Sequence, residues 1–208
     1  PYYIEVPGTS EDIRKVLQVN NQSDQEEGSY QFVTVGVKHA RMVDLVYAWL
    51  TPFTDIRSAK EMTGGSSDAE FMRINQFYME TSQNMAKYQG LKAAGKEIEL
   101  KYLGVYVLTV TDNSTFKGIL NIADTVTAVN DKTFESSKEM VDYVNSQTLG
   151  DKVKVTYQED GKVKTAEGKI ITLENGKNGI GIGLIDRTEV SSDVPIKFST
   201  AGIGGPSA

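Results

Sequence analysis

The chain has 208 residues, with 28 acidic against 22 basic side chains, a net charge of −6 and no cysteine. That composition excludes disulfide staples and thiolate metal sites, and it supplies no clustered basic stripe of the kind a phosphate backbone requires, so no nucleic-acid partner is expected. An apolar content of 39% is enough for a real core, whereas no apolar run reaches the ~20 residues that span a bilayer.

In chain order, Tyr2-Tyr3-Ile4-Glu5-Val6 reads as a strand that Pro7-Gly8 ends in a turn, and Ile13 to Val19 as a second strand. The polar, acidic run Asn20 to Ser29 reads as a surface loop, and Tyr30 to Val37 alternates as a strand. Met42, Leu45, Val46, Trp49 and Leu50 fall at helical spacing, and Pro52 stops that helix. Gly64-Gly65 breaks the chain. Ser67 with Glu70 forms a capping box that opens a long helix, which Gly95 ends.

Beyond Gly95 the texture turns to strands. Ile98 to Leu100 and Leu103 to Val110 are strand-like, and Asp112 to Phe116 is a turn region. Ser136 with Glu139 caps a short helix through Met140, Val141 and Val144. Val153 to Tyr157 and Val163 to Ile171 flank an Asp160-Gly161 hairpin tip. Gly179-Ile180-Gly181-Ile182-Gly183 lacks the helix and Gly-Lys-Ser/Thr of a nucleotide loop, so it reads as a glycine-rich strand.

This succession resembles a PDZ domain of the bacterial, protease-associated type. Tyr102-Leu103-Gly104-Val105 stands where that family has its carboxylate-binding loop. Ile119 to Asn130 follows the family's pattern of Leu, Gly-Asp, Ile and Val-Asn, with Ala123 in place of the glycine before Asp124. The resemblance implies a peptide added as a strand along Val105 to Val110. Met140 and Val144 would form the opposite wall, and amides around Leu103 to Val105 would hold a carboxylate. The expected peptide-binding residues are therefore Tyr102, Leu103, Gly104, Val105, Val107, Met140 and Val144. Val105, Val107, Met140 and Val144 fit a plain core equally well. A free C-terminus and an internal segment both remain open as ligands.

The chain closes on Gly204-Gly205-Pro206-Ser207-Ala208, preceded by the β-rich run Pro195 to Thr200. Together with the PDZ-like module, Glu5-Val6-Pro7-Gly8, Gly28 to Val35 and Met79 to Ala86, this resembles the membrane-anchored Lon-like PDZ proteases of Gram-positive bacteria, over essentially the whole chain. The resemblance implies an α+β fold. A PDZ domain, a small β-sandwich or barrel with helices, is inserted in the N-terminal part of a Lon-type protease domain. The protease part would cover 1–95, the PDZ domain 96–187, and the return to the protease 188–208.

By that resemblance Ser207 is the nucleophile of a Ser–Lys dyad. No lysine follows it, so these residues alone are expected to be inactive. The implied activity is ATP-independent processing of exported or signalling peptides or unfolded proteins at the outer face of the cell membrane. An upstream anchor would hold the protein there, and a homo-oligomer is left open for the intact protease. The alternative is a peptide-binding scaffold without catalysis. His39, the single histidine, reads as solvated or packed rather than as a catalytic base, and no metal or cofactor is expected.

Overall fold

The computed structural model describes residues 2–200 and 202–205. In chain order the elements are β1 (Tyr2–Asp12), α1 (Ile13–Val16), β2 (Leu17–Val19), β3 (Gln31–His39), α2 (Met42–Leu50), β4 (Asp55–Ser58), α3 (Ala59–Thr63) and α4 (Asp68–Ala93). They continue with β5 (Glu99–Val110), β6 (Thr125–Val129), α5 (Ser137–Asn145), β7 (Lys152–Glu159), β8 (Lys162–Lys169), β9 (Ile171–Thr172), β10 (Asn178–Gly179), β11 (Ile182–Ser191) and β12 (Ile196–Phe198). The chain forms two compact units, one from residues up to 72 with 193–204, the other chiefly from 73–192.

The first unit is built on an antiparallel sheet in the order β3-β1-β4, with β12 paired to β2 beside it. Pro7-Gly8 does not turn the chain as expected; β1 runs through it with a bulge between Pro7 and Ser10. Two features allow this. Pro7 sits beyond the end of the β1–β4 pairing, where its missing N–H is not needed. Gly8 lies so close to Thr34 that a Cβ would meet that residue's Oγ1 at 2.3 Å. The expected strand at Ile13–Val19 is instead one helical turn followed by β2. Asp12 caps that turn, its carboxylate accepting from the Arg14 amide at 2.9 Å.

Helix α2 forms where its periodicity predicts, but its orientation is inverted. Asp44 is its buried residue, while Met42, Val46, Trp49 and Leu50 face outward, Trp49 with 85% of its surface exposed. The carboxylate decides this. It accepts from Lys38 Nζ at 2.8 Å and from the Arg41 amide at 2.9 Å, and the Lys38 bond, with the amide, holds its pKa below the usual value.

The second unit is a five-stranded antiparallel sheet in the order β11-β5-β6-β7-β8, with the small β10-β9 ribbon beside it. Its core gathers Val105, Val107, Phe116, Leu120, Val126, Val129, Met140, Val144, Val153 and Val155, each worth about 1.5–3 kcal/mol if fully buried. Helix α5 opens at Ser136, whose hydroxyl accepts from the Glu139 amide, and buries Met140 and Val144 one turn apart. Phe77 of α4 stacks on Tyr106 with ring centroids 3.9 Å apart. Burial, with Glu80 nearby, pushes the Tyr106 phenol up to about 12.

The expected hairpin turns at Asp160 and Gly161, both at positive φ as a type I′ turn requires. Ala123 also sits at positive φ, +87°, in the turn whose amide bonds to Val107 O. The backbone keeps the glycine conformation although the residue is alanine, at a cost of about 1 kcal/mol or more. Ala123→Gly is therefore expected to stabilise the chain by about 1 kcal/mol in urea unfolding, despite the extra flexibility of the unfolded state. A destabilised variant would contradict this backbone geometry.

Candidate functional site

Strand β5 is paired along both flanks. On one side it runs against β11 from Val110 to Glu99; on the other, Val105 faces Val126 and Tyr106 faces Thr125 of β6. The Val107 amide donates to Asp124 O at 2.9 Å, and Val107 O accepts from the Ala123 amide at 3.0 Å. The edge assigned to Val105–Val110 from the sequence is thus occupied by the protein's own strands. Val105, Val107, Met140 and Val144 all lie in the apolar core.

Gly104 is a packing glycine. Its φ is +133°, and a Cβ there would stand 2.2 Å from Val126 O. The missing side chain admits the neighbouring strand, not a ligand. Leu103 beside it is half-buried within β5. Tyr102 packs against the core, and burial, reinforced by the Asp186 and Glu139 carboxylates, drives its phenol above the usual value.

The open edge belongs to β11. Among the described residues it pairs only with β5. Because Val107 spends both backbone groups on the Ala123–Asp124 turn that leads into β6, the alternation of an antiparallel ladder turns Tyr106 toward β11 and leaves Leu184, opposite Val107, facing away from β5. Ile182 and Asp186 share that outward direction by the same alternation.

Helix α5 is tied to this edge at its start, and the chain just beyond its end is tied to β10. Asp186 Oδ1 accepts from the Ser137 amide at 3.2 Å, and Asn178 Nδ2 donates to Gln147 O at 2.8 Å. Val141, one turn beyond Ser137 on the same face, keeps 36% of its surface exposed.

A glycine loop closes one end of the edge. Ile180 O accepts from Ser114 Oγ at 2.6 Å, and Gly181 O from the Thr111 amide at 2.9 Å. With both carbonyls turned inward, the Ile180 and Gly181 amides donate to no backbone carbonyl among the described residues. Gly181 has φ of +74°, and a Cβ would meet Thr111 Oγ1 at 2.5 Å. Two successive free amides are the element from which an anion-binding nest is built. The glycine-rich segment read from the sequence as a strand is strand at both ends, Gly179 in β10 and Ile182-Gly183 in β11, with Ile180 and Gly181 as the link between them. Its legible signal was glycine alternating with isoleucine just ahead of the β-branched run into β11.

The other expected residues are separate. Ser207 lies outside the described residues. His39 Nε2 is 2.6 Å from Asp68 Oδ2, and its ring lies 4.5 Å from that of Tyr3, so it is packed and paired. Among the described residues no group of three or more His, Asp or Glu side chains is placed to hold a metal ion, and no helix is long and apolar enough to cross a membrane.

An open strand edge, a helix clamped alongside it and a loop of free amides define a strand-addition module. The chain belongs to the PDZ-domain family, whose model matches residues 76–170. The chain is similar in part to several solved structures. The PDZ domain of the SdrC-like protein of Listeria monocytogenes is 35% identical, over 42% of this chain and 93% of that one, with a TM-score of 0.40. The PDZ domain of the SdrC-like protein of Listeria innocua is 38% identical, over 39% and 92%, with a TM-score of 0.38. A protein of Geobacillus thermodenitrificans is 30% identical, over 38% and 94%, with a TM-score of 0.35. Comparison with curated proteins gives no match.

Gly104→Ala tests the reassignment of that glycine. It is expected to cost about 2–4 kcal/mol in urea unfolding, since the new Cβ meets backbone in a strained conformation. A loss below about 0.5 kcal/mol would show that β5 and β6 do not approach so closely.

Proposed function

We propose that the protein binds extended peptides as an added strand between β11 and α5. The observation that carries this is the outward backbone of Ile182, Leu184 and Asp186, running from the free amides of Ile180 and Gly181. Main-chain bonds along β11 supply affinity, and Val141 with the half-buried Ile182 and Leu184 supplies an apolar wall for alternate side chains. The amide nest suits a peptide's terminal carboxylate.

Titration of a labelled peptide with an apolar C-terminal residue tests this. Val141→Glu is expected to weaken binding at least about tenfold. Val163→Glu, exposed on β8 at the far edge of the sheet, should leave it unchanged. Amidation of the peptide's terminus should also weaken binding about tenfold if the nest holds the carboxylate. Equal affinity for the unaltered chain and Val141→Glu would overturn the groove.

The finer reading is that the module serves an ATP-independent serine peptidase of the Lon-like type. Support comes from the sequence alone: Gly204 to Ala208 after the Pro195–Thr200 run, with the PDZ module just upstream, taken as residues 96–187 inserted between protease segments. In this reading Ser207 attacks the scissile carbonyl, a lysine removes its proton, and amides of the glycine-rich loop stabilise the oxyanion. The substrates would be exported or signalling peptides at the outer face of the membrane.

The natural gene product and its Ser207→Ala variant distinguish the outcomes. The peptidase reading expects hydrolysis of a groove-binding peptide to fall roughly a thousandfold or more with Ser207→Ala, while binding persists. Binding without hydrolysis by the unaltered protein would establish a non-catalytic scaffold instead.

A further inference from the structure

Among the described residues the open run of β11 has a definite end. Its outward residues are Ile182, Leu184 and Asp186; the next in the alternation is Thr188, whose carbonyl already accepts from Asn84 Nδ2 at 2.8 Å. The two irregularities of the β11–β5 ladder skip Leu108 and Leu103 of β5, so β11 itself alternates without interruption. A peptide that sets its terminal carboxylate on the Ile180 and Gly181 amides and runs antiparallel to β11 places its last residue opposite Ile182. Its third from last then stands opposite Leu184, and its fifth from last opposite Asp186. That fifth residue is the last to find a free partner.

Directly opposed residues project from the same face of a sheet, with Cβ atoms about 4.5–5.5 Å apart. The face is the helix side. Asp186 Oδ1 accepts from the Ser137 amide at the start of α5, and Ile182 and Leu184, two and four residues before it, pack against the core. The fifth side chain of the peptide therefore meets the Asp186 carboxylate.

The other ions around that point are already engaged within the chain. Lys138 pairs with Asp142 at 2.7 Å and Glu139 with Lys132 at 3.6 Å, while Arg187 turns to Thr125 Oγ1 and the Tyr106 ring. Asp186 gives one oxygen to a neutral amide, and among the described residues no cationic side chain pairs with it. The Tyr102 hydroxyl, buried and without a hydrogen-bond partner, lies within its field, so water is excluded from that side. A carboxylate shielded in this way attracts a cation more strongly than one in open water.

We propose that the groove selects peptides carrying lysine or arginine at the fifth residue from a free C-terminus, with Asp186 as the selecting residue. The preference rests on the reading of β11 and α5 as a strand-addition groove. Fluorescence anisotropy tests it with a labelled peptide series that ends in valine and carries alanine, lysine or glutamate at the fifth residue from that end. Lysine is expected to bind about fivefold tighter than alanine, and glutamate more weakly than alanine. Added salt should shrink the lysine advantage. Asp186→Asn removes the charge and keeps an oxygen that can accept from the Ser137 amide, and it is expected to bring the lysine-to-alanine affinity ratio to about one. A lysine moved to the fourth residue projects from the opposite face and should give no advantage, which separates Asp186 from the general pull of a chain with net charge −6. Equal affinity for the lysine and alanine peptides, an equal gain from lysine at the fourth residue, or a ratio that Asp186→Asn leaves unchanged would overturn the preference, while the groove stands as long as Val141→Glu weakens binding. If no peptide of the series binds, the groove itself fails and the preference with it.

Discussion

Two hydrogen bonds on Val107 decide where a ligand can go. A strand residue in an antiparallel sheet has one N–H and one C=O, both on the same side. Val107 gives both to the Asp124–Ala123 turn, and this fixes the facing of every other residue in β5. Tyr106 must then face β11, which leaves Leu184 turned outward. Gly104 is part of the same arrangement, since it lets β6 lie close enough for the ladder to form. The open edge is thus a consequence of how β5 is satisfied internally.

Much of this was legible in the residues, and what was not has physical causes. Helix α5 and the Asp160-Gly161 hairpin are strong local signals: a cap, a periodic face, a turn that tolerates positive φ. The Ser67–Glu70 box caps α4 as its spacing predicts, the Ser67 hydroxyl donating to Glu70 Oε2 at 2.7 Å. The edge expected from the sequence lies one strand from the open one because two glycine-containing segments look alike. Leu103-Gly104-Val105 and Ile180-Gly181-Ile182 both set a glycine between apolar residues. Only pairing tells them apart. The Cβ of Gly104 would strike the backbone of β6, whereas Gly181 keeps its carbonyl turned inward and its amide free.

Orientation was the other hidden quantity. Periodicity in α2 predicts a helix, and the helix is there, but the side facing the sheet is chosen by Asp44. A carboxylate bonded to Lys38 and to the Arg41 amide is better served at the half-shielded sheet face than in water, and the apolar arc turns outward as a result. Likewise Ile13–Val19 has the composition of a strand, but Asp12 supplies a helix cap at its first residue and wins locally. Hydropathy records how much apolar surface exists; single polar bonds decide where it points.

The three long sheet edges among the described residues then read differently from one another. β8 alternates lysines and a glutamate along its length, with Lys164 paired to Glu159, and charge of that kind discourages any added strand. β11 is flanked by α5, so a chain that joins it must be single, extended and narrow enough to lie beside a helix, which is the geometry of peptide capture. β3 has neither a flanking helix on its open side nor charges between its ends. What it presents is a regular row of backbone groups and exposed valines, Val33, Val35 and Val37.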